Sequence, residues 1–143
     1  MAAALPTLLA GLQEEATQKL VNQAIKAQEN AYCPYSKYHV GAALLSDKGG
    51  IFEGCNVENA AYGDTICAER GAACHAIAKG HKVFVAVVVI TKDGKGMPCG
   101  SCRQVLNEFN PKMVVLTADP KGTIIHRTTV EQLLPKAFGP QNL

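Results

Sequence analysis

The strongest constraint on the fold is an apolar run near the middle of the chain. Val83 to Thr91 reads VFVAVVVIT, which is rich in β-branched residues and shows no alternation of polar and apolar positions. An unbroken run of this kind is typical of a strand that is buried on both faces. Because such a strand needs a packed layer on each side of its sheet, the sequence predicts a layered α/β fold around it.

Helical and extended patterns alternate on both sides of this run. A helix is predicted over 8–31, where Leu9, Leu12 and later apolar residues to Ala31 recur at steps of three and four. The other predicted elements are a hairpin of strands 40–46 and 51–57, helices 67–79 and 99–108, strands 112–117 and 123–126, and a short helix capped by Thr129. This order predicts an α/β fold, a three-layer α/β/α sandwich with a mixed five-stranded sheet, and residues 1–143 are expected to form a single domain.

Charge and hydropathy exclude several classes of partner. The 14 Lys and Arg minus the 12 Asp and Glu leave a net charge of +2, which gives no electrostatic case for binding nucleic acid or an anionic membrane. Only 18% of the residues are charged, below the roughly 25% of average proteins, which favours self-association. No apolar run approaches the roughly 20 residues of a membrane span.

The cysteines are expected to be thiols or metal ligands rather than disulfides. The first residues, MAAALPTLLAGLQEE, have no basic region and turn acidic at Glu14, so they do not resemble a secretory signal. A reducing compartment, the cytoplasm, is therefore expected. Free, packed thiols are expected for Cys33, Cys55 and Cys74, although the sequence alone leaves Cys33 and Cys55 open as ligands. The four histidines show no ligand spacing.

Three cysteines lie where two predicted helices begin. Cys67 begins one helix, and Cys99 and Cys102 lie in the first turn of the next at i, i+3 spacing, on one helical face. Helix N-termini favour thiolates, which suit Zn²⁺, and three protein ligands leave the fourth tetrahedral position open for a water. Glu69 follows Cys67 by two residues, roughly 200° around the helix, so it is expected beside the metal as a proton acceptor rather than as a ligand.

These residues carry a family resemblance. The segments Cys67-Ala68-Glu69-Arg70 and Pro98-Cys99-Gly100-Ser101-Cys102-Arg103-Gln104, with similar stretches over roughly residues 15–143, resemble the small homotetrameric cytidine deaminases. The resemblance implies one Zn²⁺ per subunit, held by Cys67, Cys99 and Cys102, with Glu69 as the catalytic proton shuttle. The implied activity is hydrolytic deamination of cytidine and 2′-deoxycytidine to uridine and 2′-deoxyuridine with release of ammonia, a step of pyrimidine salvage.

The same resemblance assigns roles to further residues. Arg70 is expected to neutralise thiolate charge, and the Met97 carbonyl to meet the amino group. The substrate contacts that it implies are Tyr38, Asn56, Glu58, Tyr62, the backbone N–H of Ala68, and Phe138, which would reach the site of a neighbouring subunit. The chain departs from the family at Tyr38, where Phe is common, and at Met97, Ser101 and Gly71, none of which supplies a catalytic atom.

Three other functions stay open from the residues alone. Cys99-Gly100-Ser101-Cys102 at a helix N-terminus also fits a dithiol oxidoreductase, although this leaves Cys67 and Glu69 unexplained. A structural zinc module that binds nucleic acid would need a fourth ligand and a basic patch. A deaminase of a polynucleotide or of a related nucleoside such as a nucleoside antibiotic is the third, and the Asn56–Glu58 pair with the small net charge favours a free nucleoside.

Overall fold

A computed structural model describes residues 14–143. The helices are α1 (Glu14–Glu29), α2 (Ala68–Ala78), α3 (Gly100–Phe109) and α4 (Val130–Leu133). The strands are β1 (Gly41–Ser46), β2 (Ile51–Cys55), β3 (Phe84–Ile90), β4 (Val114–Ala118) and β5 (Ile124–Thr129). Leu9 and Leu12 of the predicted first helix lie outside the described residues. No helix in the described range is long and apolar enough to cross a membrane.

The five strands form one mixed sheet in the order β2-β1-β3-β4-β5. β3 and β4 are parallel, and every other neighbouring pair is antiparallel. The parallel pair is joined through α3, as a crossover between parallel strands requires. β3 lies in the centre of the sheet, and six of its seven residues are buried, so the expectation from the apolar run is confirmed.

Helices cover both faces of this sheet. Alternate β3 residues face opposite sides: Val88 packs with Leu20 and Ala24 of α1, whereas Val87 packs in the cluster formed with α2 and α3. Alternation along a strand places successive side chains on opposite faces, so one strand contributes to two cores. The predicted three-layer sandwich is therefore confirmed.

Most differences from the predicted elements lie at their ends. The second strand ends at Cys55 rather than at residue 57, because Val57 leaves the sheet and forms isolated bridges with Tyr32 and Ile66 instead. The last strand extends to Thr129. Thr129 then caps α4 as expected, its hydroxyl accepting from the backbone N–H of Gln132.

Close packing fixes α2 against the hairpin. A Cβ atom on Gly54 of β2 would lie 2.4 Å from both the Ala68 carbonyl oxygen and the Ala72 nitrogen. A residue without a side chain lets the helix backbone approach the strand this closely. This contact holds the first turn of α2, which carries the candidate site, against the sheet.

Candidate active site and metal centre

The three predicted ligand sulfurs lie together at the starts of two helices. Cys67 is the residue before α2 and Cys99 the residue before α3, while Cys102 lies within the first turn of α3. Their Sγ atoms all lie within 4.8 Å of one another, and those of Cys67 and Cys99 are 3.7 Å apart. Zn–S bonds of about 2.3 Å in a tetrahedron place sulfurs about 3.8 Å apart, so the cluster fits zinc.

Arg70 lies against this cluster. Its Nη2 donates to the Sγ of Cys67 at 3.4 Å and to the carbonyl of Thr65 at 3.1 Å. Hydrogen bonds from the Cys102 thiol and from Arg70 lower the pKa of Cys67 to about 5. The same Cys67–Cys102 interaction, together with burial, raises the pKa of Cys102. Without a cation, negative charge is therefore held at Cys67 rather than at Cys102.

Glu69 lies in the first turn of α2 and is 4% exposed. Burial raises the pKa of its carboxyl, and the negative charge of Cys67 acts in the same direction. A carboxyl in such surroundings can both take up and release a proton at a nearby reacting atom. It does not belong to the sulfur cluster, which is the one group of at least three potential ligands within residues 14–143.

A cavity of about 310 Å³ opens onto Cys67, Cys99 and Glu69. The other predicted site residues that line it are Tyr38, Asn56, Glu58 and Ala68. Met97 also lines the cavity, and the sequence predicted it only as a backbone contact. Sequence reasoning missed the remaining lining residues, which are Ser36, Val40, Thr65, Val89, Thr91 and Gly96. The arrangement places a potential metal site and a buried acid at one wall of a cavity large enough for a small organic molecule.

Asn56 and Glu58 are held by hydrogen bonds at this cavity. The Oδ1 of Asn56 accepts from the Val40 N–H at 3.0 Å, and its Nδ2 donates to the Tyr38 carbonyl at 2.7 Å. The Oε1 of Glu58 accepts from the N–H groups of Tyr35 and Ser36 at 2.9 and 3.1 Å. The hydrogen bond from the Ser36 side chain contributes most to lowering the pKa of Glu58, and the backbone N–H groups of Ser36 and Tyr35 act in the same direction. Glu58 therefore presents a fixed carboxylate, whose second oxygen can accept a further hydrogen bond.

Tyr62 and Phe138 lie apart from the main cavity. Tyr62 is 72% exposed, packs on Tyr35 with ring centroids 5.4 Å apart, and lines a smaller neighbouring cavity that also contacts Glu58. Phe138 is 61% exposed, and its carbonyl accepts from Gln104 and Asn107 at 3.0 and 3.4 Å. The backbone around Phe138 is thus anchored while the residue stays largely exposed, and neither ring lines the main cavity within one chain.

The other three cysteines are free thiols. Cys33 is buried and Cys55 half-buried, but Cys74 is exposed, so the expectation that it is a packed thiol is wrong. The buried side of α2 is formed by Ala68, Ala72 and Ala76, at steps of four, and Cys74 lies halfway between the last two, on the outer side. His75 and His81 contact the Glu53 carbonyl and the Ser46 hydroxyl, outside the sulfur cluster.

Comparisons with known proteins agree with this geometry. The model of the cytidine and deoxycytidylate deaminase zinc-binding region matches residues 14–118. The cytidine deaminase of Sporosarcina psychrophila is 48% identical over 128 residues, which cover 88% of this chain and 93% of that protein. That of Halalkalibacterium halodurans is 42% identical over 127 residues, covering 88% and 96%.

Solved structures give the same result. A crystal structure of cytidine deaminase from Burkholderia pseudomallei superposes with a TM-score of 0.79 at 44% identity, covering 84% of this chain and 97% of that one. The corresponding enzyme structure from Mycobacterium tuberculosis superposes with a TM-score of 0.74 at 39% identity, covering 85% and 95%. The similarity therefore extends over most of the chain, and the matched zinc-binding region spans Cys67, Cys99 and Cys102.

Proposed function

The chain belongs to the cytidine and deoxycytidylate deaminase family, and we propose that it hydrolyses cytidine and 2′-deoxycytidine to uridine and 2′-deoxyuridine, releasing ammonia. The observation that carries the proposal is the buried carboxyl of Glu69 beside three clustered thiols at one wall of a cavity. This combination supplies a metal site and a proton carrier at one place. It is the combination that hydrolytic replacement of an amino group by oxygen needs.

Zinc is the cofactor that the cluster fits, and Cys67, Cys99 and Cys102 would hold it. When bound, it lowers the pKa of a coordinated water toward about 7, which supplies the attacking oxygen at neutral pH. Three thiolates and Zn²⁺ sum to a charge of −1, which opposes this effect. Arg70 and the N-termini of α2 and α3 offset part of that charge, since they place positive charge or free N–H groups beside the sulfurs.

Glu69 moves the protons of the reaction. Its carboxylate takes a proton from the attacking water and delivers it to ring N3 as the C4–O bond forms. The carboxylate then takes the second proton from the hydroxyl now on C4 and delivers it to the amino group, so the C4–N bond breaks as the C4=O bond forms, and ammonia leaves. Water and cytidine thus give uridine and ammonia, and Glu69 ends as it began. Its burial keeps bulk water from exchanging these protons.

The remaining cavity residues orient the nucleoside. Asn56 and Glu58 contact the ribose hydroxyls, for which Glu58 offers the carboxylate oxygen not used by Tyr35 and Ser36. The first backbone N–H of α2, on Ala68, meets the pyrimidine carbonyl oxygen, and Tyr38 contacts the ring. The Met97 carbonyl accepts from the leaving amino group. The limited cavity volume of about 310 Å³ and the net charge of +2 favour a free nucleoside over a polynucleotide.

The active assembly is a homotetramer in which Phe138 completes a neighbouring subunit's site, while Tyr62 contacts the substrate at the rim. Supporting this, Tyr32, Tyr62 and Phe138 are 57%, 72% and 61% exposed in the single chain, and few residues are charged. Exposed aromatic side chains of this number commonly mark an interface. We assign the chain as a single domain that acts in pyrimidine salvage in the cytoplasm, where thiol ligands stay reduced.

The test is the absorbance loss of cytidine or 2′-deoxycytidine with matching release of ammonia, measured on zinc-loaded protein. Removal of zinc with a chelator should abolish the turnover, and added zinc should restore it. A protein that turns over neither nucleoside contradicts the proposal. Turnover of a modified nucleoside alone favours the nucleoside-antibiotic alternative, and disulfide reduction by metal-free protein favours a dithiol oxidoreductase.

A further inference from the structure

One buried hydroxyl holds the loop between β3 and α3. Thr91 directly follows β3 and is 2% exposed. Its Oγ1 accepts from the Gly96 N–H at 3.1 Å, and its carbonyl accepts from the Gly94 N–H at 3.1 Å. Its own N–H donates to the Ala118 carbonyl of β4 at 3.2 Å. Thr91 is therefore fixed to the sheet, and the loop is fixed to Thr91.

Gly96 is packed between two cavity residues. A Cβ atom on Gly96 would lie 2.5 Å from Cγ2 of Thr91 and 2.9 Å from the phenolic oxygen of Tyr38. All three residues line the cavity. The backbone of Tyr38 is itself held, since its N–H donates to the Ser36 hydroxyl and its carbonyl accepts from Asn56. The position of Gly96 therefore sets the face against which the Tyr38 phenol packs.

The two ends of this loop are anchored independently. Pro98, beside the ligand Cys99, has its carbonyl bonded to Nε of Arg103 at 2.7 Å. That contact holds the Cys99 end from α3 and does not involve Thr91. Gly96 and the neighbouring Met97 depend on the Thr91 hydroxyl instead. Loss of that hydroxyl should loosen the cavity wall and leave the sulfur cluster in place.

We propose that Thr91 is a positioning residue for the pyrimidine ring. Its hydroxyl fixes Gly96, and through Gly96 both the Met97 backbone and the Tyr38 ring, which are the groups assigned above to the base. The inference rests on the proposed deaminase function. Thr91 acts on substrate binding through these neighbours and takes no part in proton transfer or metal binding.

The test compares three variants by steady-state kinetics with cytidine. Thr91→Val keeps the shape and removes the acceptor, so KM should rise about five- to tenfold, the value of one hydrogen bond, while kcat stays within about twofold. Zinc content should stay at one per chain. Thr91→Ser restores the hydroxyl and should recover most of the KM. A purely structural role would lower the active fraction, and hence kcat, without changing KM.

Thr117→Val is the matched control. Thr117 lies on β4, is fully buried, and its hydroxyl has no hydrogen-bond partner within the described residues. It does not line the cavity, so KM and kcat should both stay at wild-type values. A KM for Thr91→Val equal to that of the control, or no recovery with serine, overturns the proposal. Wild-type protein without any turnover instead overturns the proposed function.

Gly96→Ala provides a second test of this cavity wall if Thr91→Val does not fold. The added methyl displaces Tyr38 or Thr91 from the cavity wall, so KM should rise while zinc stays bound. A wild-type KM in Gly96→Ala contradicts the role of this wall.

Discussion

Arg70 binds the sulfur of Cys67 and the carbonyl of Thr65 through the same nitrogen, at 3.4 and 3.1 Å. The guanidinium thus donates hydrogen bonds to two cavity-lining residues at once. Because both contacts come from one side chain, the charge on the sulfurs and the position of the cavity rim are linked.

Replacement of Arg70 by Gln should therefore weaken metal binding. The variant keeps a hydrogen-bond donor but loses the positive charge beside Cys67, and loss of such a supporting contact typically costs about 10- to 100-fold in metal affinity. Competition between the protein and a chromophoric chelator measures this affinity. Arg127→Gln, at an exposed position of β5, is the control and should bind zinc like the wild type. Equal affinities in the two variants would contradict the charge-neutralising role.

Glu69→Gln should retain zinc and lose turnover. The amide has nearly the same shape as the carboxyl but cannot accept and return a proton, so kcat should fall by about 10²- to 10⁴-fold or more. Metal analysis of the variant by atomic absorption should still give one zinc per chain, because Glu69 is not a ligand. Substantial turnover in a zinc-loaded Glu69→Gln protein would show that another group carries the proton.

Glu58 should keep its negative charge throughout the neutral pH range, so its contribution to substrate binding should not depend on pH there. Hydrogen bonds from Ser36 and Tyr35 hold its pKa below the ordinary value of 4.5, so the carboxylate is charged throughout the range above that value. KM for cytidine should therefore show no Glu58 step between about pH 5.5 and 8. Glu58→Gln should raise KM about tenfold at every pH in this range, since a charged acceptor is lost. A KM that increases as the pH falls from 8 to 5.5 in the wild type, but not in Glu58→Gln, would contradict this prediction.

The same shift predicts an acid effect on stability. A carboxyl whose pKa is lowered on folding stabilises the protein above its unfolded pKa, and this contribution is lost as pH falls through the folded value. As the pH falls below about 4.5, the melting temperature of the wild type should therefore decrease more steeply than that of Glu58→Gln. Thermal unfolding of both proteins followed by circular dichroism tests this difference.

Gly54→Ala should disturb both the fold and the site. The new Cβ would meet backbone atoms of Ala68 and Ala72 at 2.4 Å, and backbone atoms cannot rotate away. We expect a loss of about 1–3 kcal/mol in the free energy of unfolding, with reduced turnover because α2 carries Cys67 and Glu69. Gly63→Ala is the matched control, since nothing lies within 4 Å of its Cβ position. Equal stability of the two variants in urea unfolding would contradict the close approach of α2 and β2.

The sequence was most informative where local rules apply. The central strand follows from an unbroken apolar run, and the clustering of Cys99 with Cys102 follows from i, i+3 spacing in a first turn. Cys67 joins them only through the tertiary fold. The two helices, which are separated in the chain by β3, pack side by side in one layer of the sandwich and bring their first turns together. The outward position of Cys74 was missed, because alanine occupies five of the eleven positions of α2, on both its buried and its exposed side, and so gives little sign of which side is buried.

Long-range polar contacts could not be predicted in the same way. Asn56 was expected at the ribose, but its hydrogen bonds to Tyr38 and Val40 join residues 18 and 16 positions away and have no local signal. Thr91 likewise directly follows an apolar strand, and no motif surrounds it. Its role emerges only once Gly96 folds back onto its hydroxyl. Such contacts depend on loop paths, which neither periodicity nor spacing encodes.

Phe138→Ala tests whether sites are shared between subunits. If Phe138 completes a neighbouring site, the variant should have a raised KM, whereas its zinc content should stay unchanged. Mixing Phe138→Ala subunits with inactive Glu69→Gln subunits should give some sites with an intact Glu69 and a neighbour's intact Phe138, so wild-type KM should reappear in part of the activity. Light scattering should give a mass four times that of the chain. A monomeric, fully active protein, or mixtures whose KM never recovers, would contradict the shared site.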